Sequence, residues 1–369
     1  MNCPSLYTES HGHRVILFSA SPLLLRWAFD YLSPWWDTAY AKPPLHDYVV
    51  SMSVETHRYL EVLTRVLRER QLTGRFLAAP ATRARVNGSW YVYIPSRDSV
   101  FVHNEVANHI EVVGMNSEIV ASQASLIACL LLQGILEREG WVTLHSACVV
   151  GRHRCLLILG AKGSGKTSTC LALAQLPGVS LLGNDRCLVR IRADNVEVLN
   201  YPQSIRIGLP LINALGWTKS AREAVRGTTI RSGRQDEAAI QWLMQDGPES
   251  DAGLDLADVK LDLAATHLRD IFGYRLATRG VVTDVVYPSL SLESRPTLAR
   301  LQGRIGRVAT HMISDPIPNF LVMPCPNPRT IAASRRITAR ALAKMPSYRV
   351  RVGSLPDANR DLLRQILEH

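Results

Sequence analysis

With 369 residues, 47% of them hydrophobic and 20% charged, the chain has the composition of an ordinary globular protein with ample core, and excludes a disordered, fibrous or collagenous one. Lysine and arginine number 42 against 32 aspartates and glutamates, a net charge of +10 that suits an anionic partner. The basic residues are spread along the chain rather than run together, so nucleic acid is not the expected partner.

Seven cysteines (Cys3, Cys129, Cys148, Cys155, Cys170, Cys187 and Cys325) form no C-x-x-C pair and no metal-type spacing. Most sit in apolar runs, as buried thiols in a reducing cytoplasm do. Residues 1–10 lack a charged segment followed by an apolar one, so no signal peptide is expected and the location expected is cytoplasmic.

In chain order, Arg14–Ser19 reads as a strand and Leu23–Leu32 as a helix, followed by breaks at Pro34 and at Pro43-Pro44. The apolar spacing of Val54, Tyr59, Leu60, Leu63, Val66 and Leu67 predicts a helix over Ser53–Arg70, with Gly74 as an end signal. Trp90–Ile94 and Val100–Val106 read as paired strands, with a further strand at Val112-Val113. The longest apolar stretch, Ile119–Leu136, is interrupted by Ser122, Gln123, Ser125, Gln133 and Gly134, so a buried helix over Ser117–Glu139 is expected rather than a membrane span. These elements suggest a smaller mixed α/β domain over 1–115 and a nucleotide-binding domain over 116–369.

That second domain opens on the most informative stretch of the chain. Gly160-Ala161-Lys162-Gly163-Ser164-Gly165-Lys166-Thr167 fits G-x-x-x-x-G-K-S/T at every fixed position. The apolar run Cys155–Leu159 precedes it as a buried strand, and Ser168 opens a helix to Gln175. Glycines let a backbone wrap closely enough to aim its N–H groups at phosphate oxygens. Lys166 brings a positive charge to the β- and γ-phosphates, and the Thr167 hydroxyl suits Mg²⁺. A nucleoside triphosphate, ATP with Mg²⁺, is therefore the expected cofactor pair.

Such a site also needs a carboxylate for the metal, at the end of a neighbouring strand. Asp185 follows the apolar strand Val179–Leu182 and lies 19 residues after Lys166. Beyond it, Cys187–Ile191 and Val196–Leu199 suggest a hairpin, Val281–Val286 and Phe320–Met323 further strands, and Thr330–Lys344 a basic helix. Tyr348–Val352 alternates like an edge strand, and Pro356–Leu367 reads as an amphipathic closing helix. The polar stretches Thr228–Glu237 and Gln245–Leu254 read as loops. By its surroundings alone, His145, in Val142-Thr143-Leu144-His145-Ser146-Ala147, is a core histidine on a strand.

Together, His145, the loop Gly160–Thr167 and Gly183-Asn184-Asp185-Arg186 resemble the catalytic domain of HPr kinase/phosphorylase and its relatives, over roughly residues 140–210. The 21-residue separation of His145 from Lys166 is also similar to that family's. The resemblance implies an α/β P-loop core of the HPr kinase and phosphoenolpyruvate carboxykinase-like type. It implies an ATP- and Mg²⁺-dependent kinase that phosphorylates a hydroxyl of a peptide, a protein serine or a small metabolite. By position, Gly160 to Ser168 would hold the triphosphate, Thr167 and Asp185 the metal, and His145 would stand near the transferring phosphoryl group. Neither a membrane nor nucleic acid is implied as a partner, and a homo-oligomer is left open.

The sequence departs from that family at Asn184, where it has the aspartate taken as general base. The proton acceptor then falls to His145 or Asp185, or none is needed; alternatively the chain binds nucleotide as a regulatory or scaffold protein without transfer. Arg206, in Tyr201–Arg206, is the expected acceptor-side cation, with Arg231, Arg234 and Arg279 as further options and His311 and Asp315 as weaker ones.

Overall fold

Alternating apolar and polar residues make most of the elements strands, and two antiparallel hairpins fix the edges of the first sheet. The computed structural model describes residues 4–41, 45–77, 79–227, 236–245, 259–291, 295–301, 327–353 and 356–368. The expected strand Phe320–Met323, most of the loops Thr228–Glu237 and Gln245–Leu254, and Arg231, Arg234, His311 and Asp315 lie outside them. The fold is mixed α/β, in two units that divide after Glu139.

The first unit runs β1 (Ser5–Ser10), β2 (His13–Phe18), α1 (Pro22–Leu32), β3 (Asp37–Ala39), β4 (Tyr48–Val54), α2 (Thr56–Arg68), β5 (Leu72–Phe76), β6 (Ala79–Val86), β7 (Ser89–Ile94), β8 (Ser99–Asn104), β9 (His109–Gly114) and α3 (Ser117–Arg138). Its nine strands form one sheet in the order β3-β1-β2-β4-β9-β8-β7-β6-β5. The pairs β2–β4 and β4–β9 are parallel. At the β6–β7 turn, Asn87 and Gly88 both adopt positive φ (48° and 81°), which matches the right-handed twist of the flanking strands. The predicted helix over Ser53–Arg70 is shorter, because Ser53 and Val54 continue β4, and Gly74 lies inside β5 rather than ending the helix.

Helix α3 is long and apolar enough to cross a membrane by composition, yet 78% of its most apolar window is buried inside the protein. Apolar side chains surround it, including Ile127, Leu130, Leu131, Leu132 and Leu136, and it packs against α1, β2, β4 and β9. Each such side chain gains about 1.5–3 kcal/mol on burial, so the helix stays with the sheet that covers it. The division therefore falls at Glu139 rather than at 115.

The second unit runs β10 (Val142–Leu144), β11 (Ala147–Val150), β12 (Cys155–Ile158), α4 (Lys166–Ala174), β13 (Ser180–Gly183), β14 (Cys187–Arg192), β15 (Asn195–Asn200), β16 (Ile205–Gly208), α5 (Leu209–Ala214), α6 (Thr218–Gly227), α7 (Glu237–Met244), β17 (Lys260–Leu263), α8 (Ala265–Asp270), β18 (Arg279–Val281), β19 (Asp284–Leu290), β20 (Thr297–Leu301), α9 (Pro328–Leu342), β21 (Ser347–Val352) and α10 (Pro356–Glu368). A six-stranded sheet, β13-β11-β12-β19-β21-β20, faces a four-stranded one, β10-β14-β15-β18, while β16 and β17 form a separate ribbon. Cys155 and Leu157 of β12 join Leu182, Val189, Val198 and Val285 in the core between the sheets. The alternate residues Leu156 and Ile158 are equally buried on the opposite face. Helix α4 packs on β11 and β13 and against α10.

Two sequence expectations shift here. Strand β21 is not an edge: β20 pairs along its outer side and β19 along its inner side. Val281 belongs to β18, and the next strand begins only at Asp284.

Asp284, fully buried at the start of β19, is held by two hydrogen bonds from the Arg154 guanidinium (2.8 and 2.9 Å) and one from the Thr283 hydroxyl (2.6 Å). Removing the arginine leaves an uncompensated carboxylate in the sheet, which typically costs about 3–5 kcal/mol. Arg154→Met is expected to lower stability by that order in chemical denaturation. Adding Asp284→Asn should recover part of the loss.

Candidate functional site

The site is created where two neighbouring chains cross between sheets at the same level. Leu144 of β10 pairs with Cys187 of β14 in the four-stranded sheet. On the other side of the crossing, Cys148 of β11 pairs with Gly183 of β13 in the six-stranded sheet. His145-Ser146 and Asn184-Asp185-Arg186 are the residues left between, outside both ladders. His145 thus lies not on a strand, as expected, but at the break between two, and that break frees its ring to reach Asp185. His145 Nε2 stands 3.0 Å from Asp185 Oδ1, both side chains being nearly half exposed (45% and 42%).

Beside the crossing, β12 runs through the glycine loop into α4, in the order predicted. Gly163 and Gly165 have φ of 82° and 90°, in the left-handed region that L side chains rarely adopt. A Cβ on Gly160 would collide with Ser164 Oγ, and one on Gly165 would press within 3.2 Å of Val352 Cγ2. Lys166 is buried, and its ammonium donates to the carbonyls of Gly160 (2.7 Å) and Ala161 (3.0 Å). Burial lowers its pKa, and the nearby Asp185 charge opposes that shift. Lysine is thus folded back on the loop's own oxygens, a position from which its charge can turn to an arriving phosphate.

The loop, the crossing, the segment after β15 and the ribbon enclose a cleft of about 550 Å³. Burial raises the Asp185 pKa, but the His145 hydrogen bond and charge, then Arg186 and the Gln203 hydrogen bond, outweigh it and hold the carboxyl at about 2. Gln203 Nε2 donates to Asp185 Oδ2 at 3.0 Å, so both carboxylate oxygens are engaged. The Asn184 amide donates to Thr167 Oγ1 at 3.4 Å. Three buried polar atoms around the loop lack a hydrogen-bond partner among the described residues: Ser164 Oγ, Asn184 Oδ1 and Gln203 Oε1. The side-chain-free cradle fits a phosphate and the Ser164 hydroxyl can donate to one, whereas the Asn184 and Gln203 amide oxygens, acceptors only, suit a cation or a donor group. Asp185, Thr167 and Asn184 Oδ1 are hard oxygen donors suited to Mg²⁺, which keeps several waters and needs few protein ligands. No cluster of three or more His, Cys, Asp or Glu occurs among the described residues, so an all-protein cage for a transition metal is not formed there.

Of the residues singled out from sequence, His145, Lys162, Gly163, Gly165, Lys166, Thr167, Ser168, Asp185 and Arg206 line this cleft together. Gly160, Ala161 and Ser164 do not line it; the first two turn their carbonyls to Lys166, and Ser164 N–H closes the loop onto Ala161 O at 3.2 Å. Arg279 is exposed on β18 and does not line it. Sequence reasoning missed Lys260, Gly208, Leu211 and Leu290, which have no motif of their own.

Two tests follow from this geometry. Gly165→Ala forces a Cβ into the left-handed region, at about 1–2 kcal/mol, besides the Val352 contact. Nucleotide titration should then show at least tenfold weaker binding. The Asp185 carboxyl titrates near 2 in the folded chain, below its ordinary 3.8, so its contribution is complete above pH 3.8 and is lost as pH falls through about 2. His145→Ala should move the Asp185 carboxyl titration, followed by NMR, upward. The shift should narrow in salt because the pair is half exposed.

No known protein family and no curated protein matches this sequence. Among solved structures, the Hpr(Ser) kinase/phosphatase from Coxiella burnetii matches with 11% identity, covering 61% of this chain and 96% of that one, at a TM-score of 0.28. At that TM-score the likeness carries no argument about this chain.

Proposed function

We propose that this chain is an ATP- and Mg²⁺-dependent phosphotransferase with an HPr-kinase-like P-loop core, acting on a hydroxyl acceptor. One observation carries the reading: the glycine loop, Lys166, Asp185 and His145 converge on one cleft, although His145 and Asp185 are separated by the whole loop and its helix in sequence. Proximity of this kind is what phosphoryl transfer requires, because its transition state is loose and positioning supplies most of the acceleration.

The loop amides and Lys166 hold the triphosphate, while Thr167 and Asp185, with Asn184 Oδ1 beside them, hold the metal. Bound Mg²⁺ supplies charge neutralisation on the phosphate oxygens. Asp185, with its carboxyl near 2, is too weak a base to take a hydroxyl proton efficiently. It is suited instead to orient His145 through Nε2, as a carboxylate orients a histidine in other proton-transfer sites. The remaining ring nitrogen, Nδ1, then accepts the acceptor's proton as its oxygen bonds to the γ-phosphorus and the bond to the leaving diphosphate breaks. His145 thereby takes the role that Asn184, an amide, does not fill.

A second reading, nucleotide binding without transfer, is favoured by Asn184 alone. The two separate in one assay with γ-labelled ATP and candidate hydroxyl acceptors. Transfer should vanish in Lys166→Ala. In His145→Ala it should fall about 10²–10⁴-fold while nucleotide affinity stays within a few-fold, the range for a lost proton acceptor. Tight ATP binding with no transfer to any acceptor would leave only the second reading.

A further inference from the structure

The ribbon that closes the cleft is amphipathic in register. Ile205 and Ile207 of β16 and Leu261 and Leu263 of β17 are buried on one face. Arg206 and Gly208 share the other face with Asp262 and Lys260, paired Arg206 with Asp262 and Gly208 with Lys260. Arg206 and Lys260 are therefore diagonal neighbours, and Gly208 leaves the space opposite Lys260 without a side chain. Both cations line the cleft, and among the described residues neither forms an ion pair.

These two cations stand apart from the glycine loop, on a wall of their own. Among the lining side chains Lys162, Lys166, Arg206 and Lys260 meet one carboxylate, Asp185, and the buried Asp262 lies opposite Arg206 on the same face of the ribbon. The loop already supplies Lys162, Lys166 and its own amides, whereas the ribbon is a separate wall, reached through a different stretch of chain. Unpaired cations gathered in a cleft raise the local concentration of an anionic ligand and bind it by charge-assisted hydrogen bonds.

We infer that Arg206 and Lys260 form an anion-holding subsite, so that the acceptor is a hydroxyl compound that also carries a carboxylate or a phosphate. This rests on the phosphotransferase reading above and specifies its substrate class. Lys260 is then a specificity-determining residue of the acceptor side.

Three probes of one carbon skeleton test it: glycerate, glycerol 3-phosphate and neutral glycerol. Each is titrated calorimetrically into the full chain saturated with Mg²⁺ and a non-hydrolysable ATP analogue, so that the loop is already filled. Saturable binding is expected for at least one of the anions and none for glycerol. The anion that binds identifies the group. Its affinity should fall at least tenfold in Lys260→Ala, survive within threefold in Lys260→Arg, and weaken with salt. Nucleotide affinity in Lys260→Ala should change less than twofold. Absence of anion binding, or an equal loss of nucleotide affinity in Lys260→Ala, overturns the subsite while leaving the phosphotransferase reading intact. Failure of the unaltered chain to bind the analogue at all defeats that reading and the subsite with it.

Discussion

The second unit depends on one constraint: two antiparallel chains must leave one sheet and enter another together. Hydrogen bonds in the four-stranded sheet end at Leu144 and Cys187, and those in the six-stranded sheet resume at Gly183 and Cys148. The peptide groups between them belong to neither ladder, and so their side chains are free to serve something other than packing. Buried backbone must still be satisfied on both sides, which fixes the level of the crossing and so the meeting of His145 with Asp185. The apolar core between the sheets, with Leu157, Leu182 and Val189, holds the crossing from beneath.

Electrostatics then divides the labour. Asp185 is kept ionised by His145, Arg186 and Gln203 despite burial that opposes it. Lys166 is kept in place by two carbonyls despite burial that disfavours its charge. Each charge is stabilised by groups already present, so neither requires a ligand in order to fold. Arg206 and Lys260 are of another kind, since they stand on a wall of the cleft and form no ion pair among the described residues. A carboxyl held near 2 is a poor base, and in the function proposed above the proton therefore goes to the imidazole.

Much of this was legible in the chain. The strand, loop and helix around Gly160–Thr167 are read from local pattern, because glycine content and apolar runs act over a few residues. Asp185 was also legible, as the first carboxylate after an apolar strand. The first unit was read less completely. Strands β1, β3, β4, β5 and β6 escaped, although Asn87-Gly88 is a strong local hairpin signal between β6 and β7. Helix α3 was recognised as buried, but its side of the domain division was not, since the identity of the covering sheet is not encoded in a helix that is apolar all round.

By itself, the sequence determined the loop, its flanking elements and the residue types able to meet a phosphate and a metal. Only the tertiary structure decided that His145 leaves its strand to face Asp185, that Gln203 closes on the same carboxylate, and that Lys260 joins Arg206 on the far wall. The reason is separation along the chain. Lys260 and Arg206 become neighbours through the pairing of β16 with β17, and His145 and Asp185 through a crossing shared by four strands. Local preference specifies each strand, whereas pairing partners are selected by the packing of the whole unit.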